Sequence, residues 1–88
     1  MYSIHLTRTA ESTYTWLQKH DKKVFERIQT ALETLALNPF EGKALKWKLK
    51  GKYSYRVGAY RIIYKAVKER LLVYVLDIGH RREIYRQN

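Results

Sequence analysis

The sequence predicts an α+β domain in which an N-terminal strand and a helical hairpin pack on a twisted, mostly antiparallel sheet. Three observations carry this. Apolar residues recur at helical spacing before the Asn38-Pro39 pair and at a period near two after Gly42. Polar breaks at Lys19-His20-Asp21 and Asn38-Pro39 bound two helices in sequence. The strand-like runs that follow are joined by short turns, which favours antiparallel neighbours.

Each element has its own justification. Residues 2–6 alternate Tyr2, Ile4 and Leu6 with polar neighbours and read as a short strand. Thr7 or Thr9 is placed to cap a first helix, along which Ala10, Tyr14 and Leu17 share a face with Trp16 nearby. Asp21 is a good N-cap for a second helix, whose stripe is Val24, Ile28, Ala31, Leu32 and Leu35. That helix stops at Asn38, because a residue before proline disfavours helical geometry. Leu45, Trp47 and Leu49 then alternate with Lys46, Lys48 and Lys50, the pattern of an edge strand or an extended loop. Tyr53, Tyr55 and Val57 make a strand, Gly58-Ala59 a tight connection, and residues 60–67 the next strand. Lys68-Glu69-Arg70 turns the chain into the most apolar run, LLVYVLDI at residues 71–78, which is expected centrally in the sheet.

At 88 residues, the length fits one domain spanning residues 1–88. A domain of this size buries only about 60% of its unfolded surface, so modest stability is expected. Cysteine is absent, which excludes disulfides and the usual zinc sites. No spanning apolar run and no secretory leader pattern is present, so the expectation is a cytoplasmic protein with no membrane partner.

Charge is the first functional signal. Residues 1–42 hold five basic side chains (Arg8, Lys19, Lys22, Lys23, Arg27) and five acidic ones (Glu11, Asp21, Glu26, Glu33, Glu41). The whole net charge of +10 therefore lies in residues 43–88, with thirteen basic and three acidic side chains. So one-sided an excess points to a polyanionic partner.

The familiar catalytic sets are missing. There is no thiol, no phosphate-cradling glycine loop, and no acidic pair at metal-ligand spacing, so no metal or cofactor is expected. His5 and His20 read as exposed or structural. The basic residues offer more. Arg61 interrupts an apolar strand, and a guanidinium there must reach an anion, a carboxylate or solvent. Arg56 lies in the neighbouring strand, and Arg81, Arg82 and Tyr85 follow the most apolar one. With these strands adjacent, Arg56, Arg61, Arg81 and Tyr85 converge on one concave face. Clustered guanidiniums hold a phosphodiester and stabilise the extra charge of a pentavalent transition state. RNA brings its own nucleophile, the 2′-hydroxyl, so its cleavage needs neither metal nor protein nucleophile. Tyr85 can take the 2′-proton if nearby cations lower its pKa, or stack on a base, or simply pack. His80 is the alternative proton carrier near neutral pH, and Arg81 is placed to neutralise the leaving oxygen. Phosphate binding without chemistry is equally open at this point.

From Leu49 to Arg86 the chain resembles the RelE/ParE superfamily of toxin–antitoxin toxins. The carrying residues are Leu49-Lys50-Gly51, Tyr53-Ser54-Tyr55-Arg56-Val57-Gly58, Ala59-Tyr60-Arg61-Ile62-Ile63-Tyr64, and Asp77-Ile78-Gly79-His80-Arg81-Arg82-Glu83-Ile84-Tyr85. The resemblance implies a RelE-like, microbial RNase-like fold, and within it the branch that cleaves mRNA in the ribosomal A site by 2′-hydroxyl attack. Carried over by motif position, the catalytic set is Arg56, Arg61, Arg81 and Tyr85. Lys48, Lys50, Lys52, Lys65, His80, Arg82 and Arg86 are the candidate RNA contacts around it. The implied partners are a cognate antitoxin protein, the ribosome and mRNA. Ser54 stands where some relatives carry a further lysine, with Lys50 or Lys52 placed to compensate. The alternatives are a ParE-like inhibitor of DNA gyrase and a catalytically weak RNA- or ribosome-binding module.

Overall fold

The computed structural model describes residues 1–80. Strand β1 (Ser3–Leu6) leads into helices α1 (Arg8–His20) and α2 (Lys22–Leu37). A two-residue strand β2 (Lys43–Ala44) precedes β3 (Tyr53–Val57), β4 (Tyr60–Val67) and β5 (Leu72–His80). The strands form one sheet in the order β1-β5-β4-β3-β2. Only β1 and β5 pair in parallel; the other pairs are antiparallel. The predicted α+β class and its mostly antiparallel sheet are thus observed. The apolar run expected at the centre is interior, flanked by β1 and β4, while β4 holds the middle position.

The helices start and stop where side chains satisfy their free backbone ends. Thr7 caps α1, its hydroxyl accepting from the Ala10 N–H at 3.2 Å. Asp21 does two jobs: its N–H closes α1 onto the Leu17 carbonyl, and its carboxylate accepts from the Val24 N–H at the start of α2. Asn38 ends α2, donating its N–H to Thr34, and Pro39 prevents continuation. Of the predicted stripe, Ile28, Ala31, Leu32 and Leu35 are buried, joined by Ala36, while Val24 is half-buried.

Both helices cover the same face of the sheet. Leu17, Ile28 and Leu35 meet Ile62, Tyr64, Val73, Val75 and Ile78 in a single core, all fully buried. Each such apolar side chain contributes about 1.5–3 kcal/mol relative to exposure. Tyr14 of α1 packs at a tilt on Phe25 of α2 with ring centroids 4.7 Å apart, which ties the hairpin together.

Ile78 joins Val73 and Val75 on this face only through a β-bulge. Ile63 pairs with Asp77 and Tyr64 with Val75, so Leu76 is the extra residue. Without the bulge, strict alternation would turn Asp77 toward the core and Ile78 outward. The bulged carbonyl of Leu76 accepts from the Thr7 hydroxyl at 2.7 Å, so the helix cap also pins the irregular strand.

Tyr64 fixes the segment between α2 and β3. Its hydroxyl donates to the Pro39 carbonyl at 2.8 Å and accepts from the Gly42 N–H at 3.0 Å. A Cβ on Gly42 would sit 2.4 Å from that oxygen, so this approach requires glycine. Burial pushes the Tyr64 phenol up to about 12, outweighing the lowering by the Gly42 N–H, with Tyr53, Tyr55 and Glu41 adding to the rise.

One local expectation is corrected. Leu45, Trp47 and Leu49 do not alternate along an extended segment. Trp47–Leu49 forms a 3-10 turn, and Trp47 takes φ +62. The left-handed residue breaks the period of two, so Leu45 and Leu49 turn inward while Trp47 joins the exposed lysines.

Candidate functional site

Among the described residues both helices lie on one face of the sheet, and the register states what lies on the other. Arg56 of β3 stands directly opposite Arg61 of β4, and Arg61 opposite Gly79 of β5. A parallel row runs Lys43, Ser54, Ile63 and Asp77 across four strands. A third row holds Lys65, Tyr74 and His5. Two arginines are therefore cross-strand neighbours, with Asp77 one row away on the same face.

Arg61 is half-buried, and one of its Nη atoms donates to the Ser54 hydroxyl at 3.4 Å. Ser54 is itself buried and one strand away, so it helps to aim the guanidinium. Arg56 is exposed, and its Nε donates to the Gly58 carbonyl at 3.1 Å. That bond draws its head toward the β3–β4 hairpin. Gly58 takes φ +60 at the first position of the two-residue turn, which glycine accommodates without strain. The Arg27 guanidinium of α2 lies against the same glycine, 3.1 Å from where its Cβ would be. Lys23, Glu26, Arg27 and Arg56 line a groove of about 680 Å³ between α2 and β3. Arg27 was not singled out in the sequence, because it belongs to the charge-balanced first half.

The remaining candidates divide. Lys48, Lys50 and Lys65 are exposed and Lys52 is half-buried. The first two and Lys52 belong to the loop beyond β2, at one sheet edge. His80 pairs with Tyr60 and lies edge-to-face on its ring at 5.8 Å, lining a groove with Trp16 of α1. By strand alternation it is on the helix side, away from Arg61. Arg81, Arg82, Tyr85 and Arg86 lie outside the described residues. β5 is described to His80, and in sequence Arg81 comes next, two positions after Gly79. Sequence reading also passed over Lys43, Tyr74 and Asp77, whose place on this face depends on register and on the Leu76 bulge. Among the described residues, no three His, Asp or Glu side chains cluster as metal ligands. No helix among them is long and apolar enough to cross a membrane.

This architecture is that of toxins from toxin–antitoxin systems. The toxin–antitoxin complex RelBE2 from Mycobacterium tuberculosis superposes with a TM-score of 0.77 at 29% identity, covering 91% of this chain and 98% of that one. The YoeB/ParE toxin from Agrobacterium tumefaciens shares the fold with a TM-score of 0.81 at 21% identity, with the same coverage of 91% and 98%. The chain belongs to the family described as the ParE toxin of the type II toxin–antitoxin system parDE, whose model matches residues 4–85. It is 32% identical over 88 residues to Toxin RelG of M. tuberculosis, covering 98% of each chain. It is also 32% identical over 75 residues to Toxin YoeB of a Synechocystis strain, covering 80% of this chain and 87% of that protein.

Proposed function

We propose that this toxin is a metal-independent endoribonuclease that cleaves mRNA in the ribosomal A site. The observation that supports this best is the Arg56–Arg61–Gly79 row, and in sequence the Arg81–Tyr85 motif comes right after β5. In this reading the RNA 2′-oxygen attacks the adjacent phosphorus as its proton passes to a base, and the P–O5′ bond breaks. The products are a 2′,3′-cyclic phosphate and a 5′-hydroxyl. Arg61, aimed by Ser54, holds the scissile phosphate and stabilises the added negative charge together with Arg56. Arg81 neutralises the departing 5′-oxygen, and Tyr85 takes the 2′-proton or stacks on a base. Lys48, Lys50, Lys52 and Lys65 bind flanking phosphates, with Arg82 and Arg86 beside the closing motif. His80, on the helix side of the sheet, is given no part in the proton transfer.

The partner is a cognate antitoxin that covers the basic face, and the setting is the cytoplasm, where ribosomes and mRNA are found. The same partner type is named in several related structures, among them the YoeB–YefM complex from Staphylococcus aureus.

The test is cleavage of an mRNA programmed into purified ribosomes, with primer extension to locate the cut. Arg61→Ala and Arg81→Ala should each lower the rate by about 100-fold or more, the scale for removing a transition-state charge contact. Tyr85→Phe separates proton transfer from stacking. A second reading, inhibition of DNA gyrase without cleavage, is favoured by the parDE description of the matching family. Intact ribosomal mRNA together with blocked gyrase supercoiling would select it. Binding to ribosomes without either activity would select a plain RNA-binding module.

A further inference from the structure

Trp47 is 90% exposed, although an indole is ordinarily among the most buried side chains on average. Its backbone takes φ +62, which non-glycine residues adopt uncommonly and at an energetic cost. Slack does not explain this. The loop is closed at its base by the Leu45 N–H on the Lys52 carbonyl at 2.9 Å. Inside it, the N–H groups of Leu49, Lys50 and Lys52 bond the carbonyls of Lys46, Trp47 and Leu49. The chain therefore holds a large ring out in solvent on a backbone-bonded loop, in a conformation that glycine would adopt unstrained.

The surroundings indicate what the ring meets. Lys46, Lys48 and Lys50 are exposed beside it, Lys43 and Lys52 flank them, and no acidic residue falls between 43 and 52. Lys43 pairs with Ser54, whose hydroxyl contacts Arg61, so the loop leaves the sheet from the strand edge next to the arginine row. A flat π-surface ringed by ammonium groups matches a nucleobase between two phosphates, the arrangement by which single strands are held without sequence readout. A protein partner that buried the indole would have to desolvate the lysines on either side of it.

We propose that Trp47 is a base-stacking residue for single-stranded RNA, outside the cleavage site, with the adjacent lysines binding the phosphates of the stacked nucleotide. This rests on the reading of the basic face as RNA-binding and adds a second contact point to it.

The experiment uses the full chain. In a Trp16→Phe background, Trp47 is the remaining indole. Its fluorescence is followed during titration with an unstructured adenine-rich hexanucleotide and with an abasic ribose-phosphate oligomer of equal length. Quenching by the first and not the second is expected. In parallel, Trp47→Gly should weaken binding of the labelled hexanucleotide by roughly 10-fold, within the range for losing one stacked base. The same variant should melt higher, by roughly 4–8 °C, because glycine relieves the left-handed strain. Trp47→Phe should retain most of the affinity.

A more stable variant that binds RNA less well cannot owe the loss to unfolding. Equal quenching by both oligomers, or none, overturns the stacking role, as does unchanged RNA affinity in Trp47→Gly. If Trp47→Gly keeps its RNA affinity and loses affinity for the antitoxin, the ring serves a protein interface and the role is again overturned. Quenching without cleavage on ribosomes defeats the nuclease reading alone. Cleavage without quenching defeats the stacking role alone.

Discussion

Replacing Tyr64 by phenylalanine removes one oxygen and strands two backbone groups. The ring keeps its place in the core and its stacking on Tyr53, with centroids 5.5 Å apart, so the apolar burial is conserved. What is lost is the bond to the Pro39 carbonyl at 2.8 Å and the bond from the Gly42 N–H at 3.0 Å. A buried polar group left unpaired costs about 1–3 kcal/mol. The contact to the Pro39 carbonyl is buried and falls within that range, whereas the partly buried Gly42 N–H is nearer water and falls at its lower end. The sum is about 2–4 kcal/mol, a large share of the total for a domain whose stability is of order 0.05–0.15 kcal/mol per residue. Urea unfolding followed by circular dichroism should show a lower midpoint at unchanged slope, and Tm should fall by roughly 10–25 °C. A loss below about 0.5 kcal/mol would refute the reasoning, because it would mean the segment between α2 and β3 is not held through this hydroxyl.

Alkaline pH reports on the same group. The folded pKa of Tyr64, about 12, lies above its ordinary value of 10.0, so its contribution to stability is complete below pH 10 and is lost as pH rises toward 12; Tyr64→Phe should flatten that part of the stability profile. Thr7→Ala removes both the α1 cap and the bond to the Leu76 bulge, and should destabilise by about 1.5–3 kcal/mol in thermal unfolding, with Thr7→Ser recovering most of it. Ser54→Ala should change stability little and lower the rate of mRNA cleavage several-fold through a misdirected Arg61, an effect that single-turnover kinetics on programmed ribosomes would detect. Binding of RNA should weaken with a log–log salt slope of about −0.7 per phosphate contact, and a flat response would remove the basic face from the interaction.

Local signals made most of this fold legible. The α2 stripe, the Asp21 cap and the Asn38-Pro39 stop are short-range, so each could be read from a few neighbours. The two-residue turn at Gly58-Ala59 was equally plain, and it fixes Arg56 opposite Arg61. The parts that were not legible depend on distant or unsignalled choices. No glycine announces the left-handed residue in the lysine loop; Trp47 occupies it, and an alternating pattern there reads as extended. An unbroken apolar run carries no parity, so the bulge at Leu76, and with it the facing of Asp77, could not be inferred from it. Tyr64 is one of several tyrosines at alternate positions, and its hub role depends on Pro39 and Gly42, 25 and 22 residues away. The basic groove beside α2 went unnoticed because Arg27 gains its meaning only from proximity to Gly58.

The parallel pairing of β1 with β5 has a consequence for synthesis. Thr7 and Leu76 are 69 residues apart, yet one hydrogen bond joins them, and α1 lies against β5. During translation, β1 has no strand to pair with, and α1 has only α2 to lie on, until β5 has been made. Contacts of such long sequence separation form late, because the intervening loop must first be closed. A nascent chain cut short before β5 also lacks Gly79, the third member of the arginine row. A chain that stops short of β5 therefore lacks both the partner strand of β1 and part of the basic face.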